Sequence, residues 1–359
     1  MDKLIRIGID TSKSVFQLHG VNAREEPVLK KQLRRSQLAD WFARLEPTKI
    51  GLEACGGSHH LSRMLKALGH EVVLVPPQYA KAYVARGKND AADAEAICEA
   101  MSRPKVQKRF VPVKTVDQQA SQMLVQTRDR FIRRRTQLSN TIRGYAAEFG
   151  LVVPKGLSHL EPLLARIKDD ATVPDVAKEL FHLHKADYVE VQAQLRQLDG
   201  MLMAFHKQNE LSQRLVRIPT LGPIGATLLA AKVADPKSFK SGRDFAAWIG
   251  LTPKDHSTAG KHRSGGITRA GDEALRSTMV VGATALIQQI KRGNTRHASP
   301  WLNELLKRKP PKLVAVALAN KTARIAWKLM VSGESYSAGK AAGRKNAPGL
   351  DANRLREAA

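Results

Sequence analysis

The chain predicts an α/β domain at its N-terminus, followed by a helical linker and a mainly α C-terminal unit. Three patterns predict this. Short β-rich apolar runs crowd the first 80 residues, an amphipathic segment of helical spacing falls between the last two, and beyond residue 116 the apolar steps become those of helices. LIRIGID, SVFQLHGV, PVLKKQL, KIGLEAC and EVVLVPP are the strand candidates. SHHLSRMLKALG reads as a helix with Ser58 as its N-cap and Gly69 at its end. Early strands in close succession, then strand–helix–strand, suit a mixed sheet with helices on its faces. A further helix, AADAEAICEAMS, is opened by Asp90 and Asp93. These elements occupy residues 1–115.

Residues 116–210 read as helical. DQQASQMLVQTRDRFIRRRTQLSNTIRGYAAEFG carries Arg128, Arg130, Arg133, Arg134 and Arg135, a basic run suited to nucleic-acid backbone. After a break around Pro154 the helix resumes. Phe181, His184, Tyr188, Val191, Leu195, Leu198, Leu202 and Phe205 then step by three and four, the spacing of a coiled coil. Such a seam closes either an intramolecular hairpin or a dimerisation arm, and periodicity does not separate them. His184 reads as a seam residue rather than a ligand.

Residues 211–335 form a second compact unit. RIPTLGPIGATLLAAKV reads as a turn and a helix, with Gly222 and Gly225 placed to let backbone approach a phosphate. FAAWIGLTP leads into KDHSTAGKHRSGGITRAGD, a polar, glycine-bearing segment expected to be an exposed loop. The helices EALRSTMVVGATALIQQI and LVAVALANKTARIAWKLMVSG follow. The tail, 336–359, is rich in Gly, Ala, Ser and charge, a composition that predicts disorder.

Lys and Arg number 59 against 33 Asp and Glu, a formal charge of +26 over 359 residues. That excess favours a polyanionic partner, nucleic acid before a membrane surface. No apolar run approaches the length of a spanning helix, and Lys3 and Arg6 interrupt the only apolar stretch at the N-terminus. Two cysteines, Cys55 and Cys98, make neither a disulfide framework nor a zinc cluster. The expected setting is a reducing cytoplasm. Aromatic residues are 5% of the chain, which argues against a base-stacking sheet.

Four acids carry the chemistry. Asp10 ends one β-rich run and Glu53 another, while Asp90 and Asp93 lie one helical turn apart and share a face. Carboxylates gathered in a small volume repel unless a cation lies between them. A hard, oxygen-seeking ion, Mg²⁺ with Mn²⁺ as a substitute, suits such a set. Two strand-end acids plus a helical i,i+3 pair are what an RNase H-type nuclease fold requires, and the basic charge calls independently for a phosphate-bearing substrate.

A second candidate is Ser257, among Lys254, Lys261, Arg263, Arg269 and the glycines 260, 265, 266 and 271. Neighbouring cations would stabilise its alkoxide and a phosphorane, whereas the plainer reading is a phosphate-gripping loop without a covalent role. Thr258 and Ser264 compete with it. His59 and His60 are acid–base candidates, or helix-start residues that pack or touch phosphate.

The order IGIDTSK, GLEACGG, KNDAADAEAI, IPTLGPIGA and GLTPKDHSTAGKHRSGGITRAGDEALR resembles the DEDD transposases of bacterial insertion-sequence family 110. The HSTAGKHRSGGITRAGD form resembles the 1111 subgroup. The resemblance runs from Ile7 to about Met330. It implies a RuvC-like N-terminal domain whose metal-binding acids map onto Asp10, Glu53, Asp90 and Asp93. It further implies a coiled-coil linker and a C-terminal transposase domain with a serine nucleophile in the basic loop. Counting back from Gly271 points to Ser257, and counting forward from Pro253 allows Thr258. The same resemblance implies a covalent protein–DNA link, a structured bridge RNA that pairs with element-end and target DNA, and a homo-oligomer, dimer to tetramer. Arg128, Arg133, Arg134, Arg135, Lys261, Arg263 and Arg269 are then the expected nucleic-acid contacts. The alternative is a metal-dependent, junction-resolving endonuclease in which the acids activate water and Ser257 only touches phosphate.

Overall fold

The computed structural model describes residues 3–84, 89–256, 258, 261 and 263–337. It divides into two compact units, Met1–Asp117 and Gln118–Ala359. The tail expected to be disordered lies outside the described residues from 338 onward.

The first unit is a five-stranded sheet with helices on both faces. Strands β1 (Leu4–Thr11), β2 (Val15–Asn22) and β3 (Pro27–Arg34) run antiparallel in succession. Helix α1 (Leu38–Ala43) then leads to β4 (Lys49–Glu53), and α2 (Ser58–Ala67) to β5 (Glu71–Val75). These last two strands add in parallel, giving the order β3-β2-β1-β4-β5. Short α3 (Pro77–Ala80) precedes α4 (Asp90–Ser102) and α5 (Pro104–Gln107). All five expected strands are present, and so is the helix that begins at Asp90.

Tight turns explain the antiparallel half. The Asn22 carboxamide oxygen accepts from the backbone N–H groups of Arg24 and Glu26, which closes the turn between β2 and β3. Side-chain alternation then sorts the sheet into two faces. Ile7, Ile9, Phe16, Leu18, Leu33, Ile50, Leu52 and Leu74 are all buried together with Phe42, Leu61 and Leu65 of α1 and α2. The opposite face carries Gly8 and Gly51, and here α4 lies against the strands. A Cβ on Gly8 would stand 2.2 Å from the Ala94 carbonyl oxygen and 2.5 Å from the Cys98 nitrogen. On Gly51 it would stand 2.6 Å from the Met101 sulfur. The helix therefore packs directly on strand backbone.

One cap differs from expectation. Gly57, at φ 85°, caps α2, and Ser58 is its first residue. The turn after β4 needs a left-handed residue, which glycine supplies without strain. Ser58 is fully buried and donates its hydroxyl back to the Cys55 carbonyl at 2.8 Å.

The second unit is mainly helical. Its first part pairs α6 (Val116–Glu148) with α8 (Asp175–Gln208), with α7 (Leu160–Asp169) between them in sequence. Arg128 meets Asp199, Arg134 meets Asp187, and Phe149 meets Phe181, so the two long helices run antiparallel. The heptad seam is buried within the chain. Phe181 and Tyr188 share a core with Ile142 and Ala146 of α6 and with Leu160, Leu163, Leu164 and Ile167 of α7. Leu202 shares another with Val125. His184 lies against the Tyr145 ring, 5.7 Å between centroids.

The remainder comprises α9 (Glu210–Leu215), α10 (Pro223–Lys232), α11 (Gly242–Trp248), a hairpin of β6 (Pro253–Asp255) and β7 (Ser264–Ile267), then α12 (Glu273–Lys291), α13 (Pro300–Arg308) and α14 (Pro311–Ser332). Two expectations are corrected here. Gly225 does not face a phosphate path: it is buried, and a Cβ there would stand 3.0 Å from the Thr278 methyl, so its role is to seat α10 on α12. Segment 254–272 is not wholly loop, since β6 and β7 pair antiparallel. Their polar, glycine-rich composition hides the alternation that marks longer strands. Among the described residues no helix is long and apolar enough to cross a membrane.

The contact of α4 with Gly8 yields a test. Gly8→Ala should lower unfolding free energy by about 3 kcal/mol, because backbone rather than a flexible side chain meets the added carbon. Gly56→Ala, with nothing within 4 Å, should stay within about 0.5 kcal/mol of the parent in urea unfolding.

Candidate metal centre and exposed basic hairpin

Strand parity places the first two acids. Ile9 pairs with Leu52 across β1 and β4, so Asp10 and Glu53 are the next residues in register. Each lies two positions beyond its glycine, on the face that α4 covers. Asn89 caps α4, its side-chain oxygen accepting from the Ala92 N–H at 2.7 Å. Asp90 and Asp93 therefore occupy the first turn, where free N–H groups and the helix dipole favour negative charge.

The fold brings three of the four acids into one cluster. Carboxylate oxygens of Asp10, Asp90 and Asp93 lie within 4.8 Å of one another. Glu53 stands outside that grouping, though its charge still acts on Asp10. It sits on the neighbouring strand, a full inter-strand spacing away, whereas α4 lowers its two aspartates onto Asp10 from above.

Burial holds the Asp10 carboxyl above the usual carboxylate range, and the charges of Asp93, Asp90 and, least, Glu53 push the same way. Among the described residues no Lys, Arg or His side chain forms an ion pair with any of the three clustered acids. Three clustered oxygen donors, with Asp10 partly withdrawn from water, fit a hard divalent ion.

Other expected site residues fall elsewhere. His59 Nδ1 accepts from the Lys114 N–H at 3.2 Å, while Arg63 donates to the Lys114 carbonyl at 2.6 Å. Burial, Lys114 and Arg63 lower the His59 pKa, in keeping with a neutral acceptor. His59 thus anchors the chain after β5 and is not placed as an acid–base group. His60 is exposed on α2.

The arginines of α6 do not form one face. Arg128 binds Asp199 at 2.5 Å and Arg134 binds Asp187 at 3.2 Å, both on α8. Arg130 and Arg133 are exposed, and Arg135 is half-buried. Consecutive arginines necessarily spread around a helix at about 100° per residue.

The β6–β7 hairpin presents its cations to solvent. Lys254, Lys261, Arg263 and Arg269 are all exposed. Its root is fixed: a Cβ on Gly250 would stand 2.0 Å from the Ala270 carbonyl oxygen, and one on Gly271 1.8 Å from that of Trp248. Arg276 also donates to the Ile249 carbonyl at 3.0 Å, and Lys232 pairs with Asp272 at 2.7 Å. Towards the tip, Thr258 and Lys261 form a bridge. Ser257 lies outside the described residues. Ser264 opens β7 and is exposed.

Gly8 and Gly51 are the positioning residues that residue chemistry overlooks. Their signal is an isolated glycine inside each of two apolar strands, IRIGID and KIGLEA, which marks close backbone approach.

An α/β acid centre joined in one chain to a helical unit with a basic hairpin defines a nucleic-acid-processing enzyme, and comparison with known proteins agrees. A DEDD transposase profile of the insertion-sequence 110 type matches residues 7–149, which hold all four acids. The profile described as "Transposase IS116/IS110/IS902 family" matches residues 212–298, which hold the hairpin. The chain is 64% identical to "Putative transposase y4pF/y4sB" of Sinorhizobium fredii, over 94% of its own length and 86% of that protein. It is 37% identical to the transposase for insertion sequence element IS1328 of Yersinia enterocolitica, over 94% and 100% of the two chains. With the transposase for IS1111A of Coxiella burnetii it shares 35% identity over 93% and 91%. The chain belongs to the IS116/IS110/IS902 transposase family.

The raised Asp10 carboxyl has a stability consequence. Its folded pKa lies above the unfolded value, so metal-free stability is highest below the unfolded pKa and falls as pH rises through the folded one. At neutral pH the ionised group is a net cost. Asp10→Asn should therefore raise the melting temperature of metal-free protein by a few degrees. Mg²⁺ or Mn²⁺ should stabilise the parent and not the variant. Thermal melts with EDTA and with each ion check both, and ion affinity should weaken as pH falls through the raised Asp10 range.

Proposed function

We propose that this transposase excises and inserts an insertion sequence through a divalent-ion centre of RuvC-like type, working with a serine nucleophile in the basic hairpin. The observation that carries the reading is the convergence of Asp10 at a strand end with Asp90 and Asp93 on the first turn of α4. Mg²⁺, or Mn²⁺ in its place, would be held by these three with Glu53 alongside. When bound it would orient a scissile phosphate and offset its charge.

The remaining chemistry belongs to side chains. Ser257 Oγ would attack the phosphorus, forming an O–P bond as the bond to the leaving sugar oxygen breaks. The serine proton would end on that oxygen as a free hydroxyl. The phosphoserine link conserves the bond energy, so resealing needs no nucleotide cofactor. Lys261, Arg263 and Arg269, exposed on the rooted hairpin, are suited to the charge of the pentacovalent state. On α6, Arg133 and Arg134 are the exposed members of the proposed backbone contacts, Arg134 being also paired with Asp187 and Arg128 with Asp199 of α8.

The further reading follows the 1111 subgroup. A structured bridge RNA would pair with element-end and target DNA, so sequence choice would come from base pairing and the protein would grip backbone, as in other RNA-guided systems. A dimer or tetramer would bring acid centre and serine together from different subunits.

The test uses purified full-length protein, Mg²⁺, element-end DNA and RNA transcribed from the element's flank, resolved on a denaturing gel. A protease-sensitive protein–DNA adduct is expected, absent in Ser257→Ala and retained in Thr258→Ala. Asp10→Ala should lose cleavage by more than the roughly 10–100-fold typical of residues that merely orient a metal ligand. Cleavage surviving Ser257→Ala without any adduct would overturn the serine reading in favour of a junction-resolving nuclease.

A further inference from the structure

A second concave surface, distinct from the acid centre and the hairpin, lies in the helical unit. It is an open groove of about 1350 Å³, bounded by the start of α11, by α13, by one face of α14 and by residues 334–337. That volume exceeds the roughly 300–1,000 Å³ of small-molecule pockets.

Its lining is basic and aromatic. Lys321, Arg324 and Lys328 recur at i, i+3 and i+7 on α14, and Arg243 joins them from α11. Among the described residues none of the four is paired with a carboxylate. Glu334 is the only acid among the described residues of the lining. Four cations held in one depression raise the local positive potential well above that of scattered surface lysines. Lys321 is partly withdrawn from water, and its ammonium lies 4.3 Å from the centroid of the Trp301 ring. That contact fixes the indole at the groove wall, yet Trp301 remains 40% exposed. Tyr336 also lines the groove, from the segment that follows α14.

Cations in a row without a carboxylate partner among the described residues call for phosphates. An exposed indole beside them calls for a planar group that a duplex keeps within its own stack. We infer that this groove binds a single strand of nucleic acid, with the phosphates along Lys321, Arg324, Lys328 and Arg243 and an unstacked base against Trp301. The inference does not depend on the serine or on the ion: it concerns how the helical unit holds an unpaired segment. DNA and RNA share this chemistry, and separate probes distinguish them.

The experiment is fluorescence anisotropy of the full chain with labelled twelve-nucleotide oligo-dT, oligo-U and a twelve-pair DNA duplex across a range of salt. Arg324→Gln with Lys328→Gln changes two residues at the groove surface and should leave the melting temperature unaltered. It should weaken binding of the single strands and lower the slope of log affinity on log salt by about 1.4, roughly 0.7 for each phosphate that is no longer neutralised. Trp301→Leu should weaken single-strand binding about tenfold with the salt slope unchanged and duplex binding unaffected. Trp301→Phe, which keeps a ring, should recover most of that loss and guards against a folding defect. A preference for oligo-U or for oligo-dT names the strand. Single-strand affinity unchanged in all three variants would overturn the inference, as would equal losses on duplex and single strands in Trp301→Leu.

Discussion

The absence of a β-carbon at two strand positions is the constraint on which the N-terminal unit depends. Gly8 and Gly51 let α4 rest on the backbone of β1 and β4, with clearances that no side chain could share. Everything at the acid centre follows from that approach. Asp10 and Glu53 lie two residues beyond these glycines on the same face, and Asp90 and Asp93 lie on the helix turn that hangs over the strand ends. A helix at ordinary distance would leave the aspartates apart and solvated. Seated this closely, it presses three carboxylates within 4.8 Å and holds one of them partly out of water.

The cluster is therefore a region of electrostatic conflict. Folding brings like charges together, and the helix dipole at the first turn of α4 offsets only part of the repulsion. The energy for this comes from the opposite face, where the large apolar side chains of the sheet and of α1 and α2 are buried. The same division recurs in the helical unit. There the core beneath α10, α12 and α14 is apolar, while cations without carboxylate partners among the described residues gather on its surface.

Much of this is legible in the residues. Short β-rich apolar runs mark all five strands, and the i,i+3 spacing of Asp90 and Asp93 places them on one helical face. The position of Glu53 at a strand end is legible too, but its distance from the other acids depends on sheet spacing, which pattern does not carry. The hairpin 253–267 is hidden because three- and four-residue strands of Lys, Asp, Ser and Gly show no apolar period. Gly225 misleads because a glycine that admits a neighbouring helix and one that admits a phosphate look alike in sequence. The run Arg128–Arg135 suggests one basic face, yet helical geometry turns Arg128 and Arg134 towards acids of α8. The groove beside α14 joins residues 301 and 336 to a stripe on one helix, a juxtaposition that only tertiary packing creates.

The antiparallel pairing of α6 and α8 restricts how this transposase can change in length. The two helices, of 33 and 34 residues, each span about 50 Å. Ion pairs and ring contacts at several levels lock their register. A deletion within one helix alone would rotate every later seam residue away from its partner, at about 100° for each residue removed. Viable relatives with shorter or longer arms should differ by matched whole-heptad steps in both helices, so an insertion in one predicts a compensating insertion in the other.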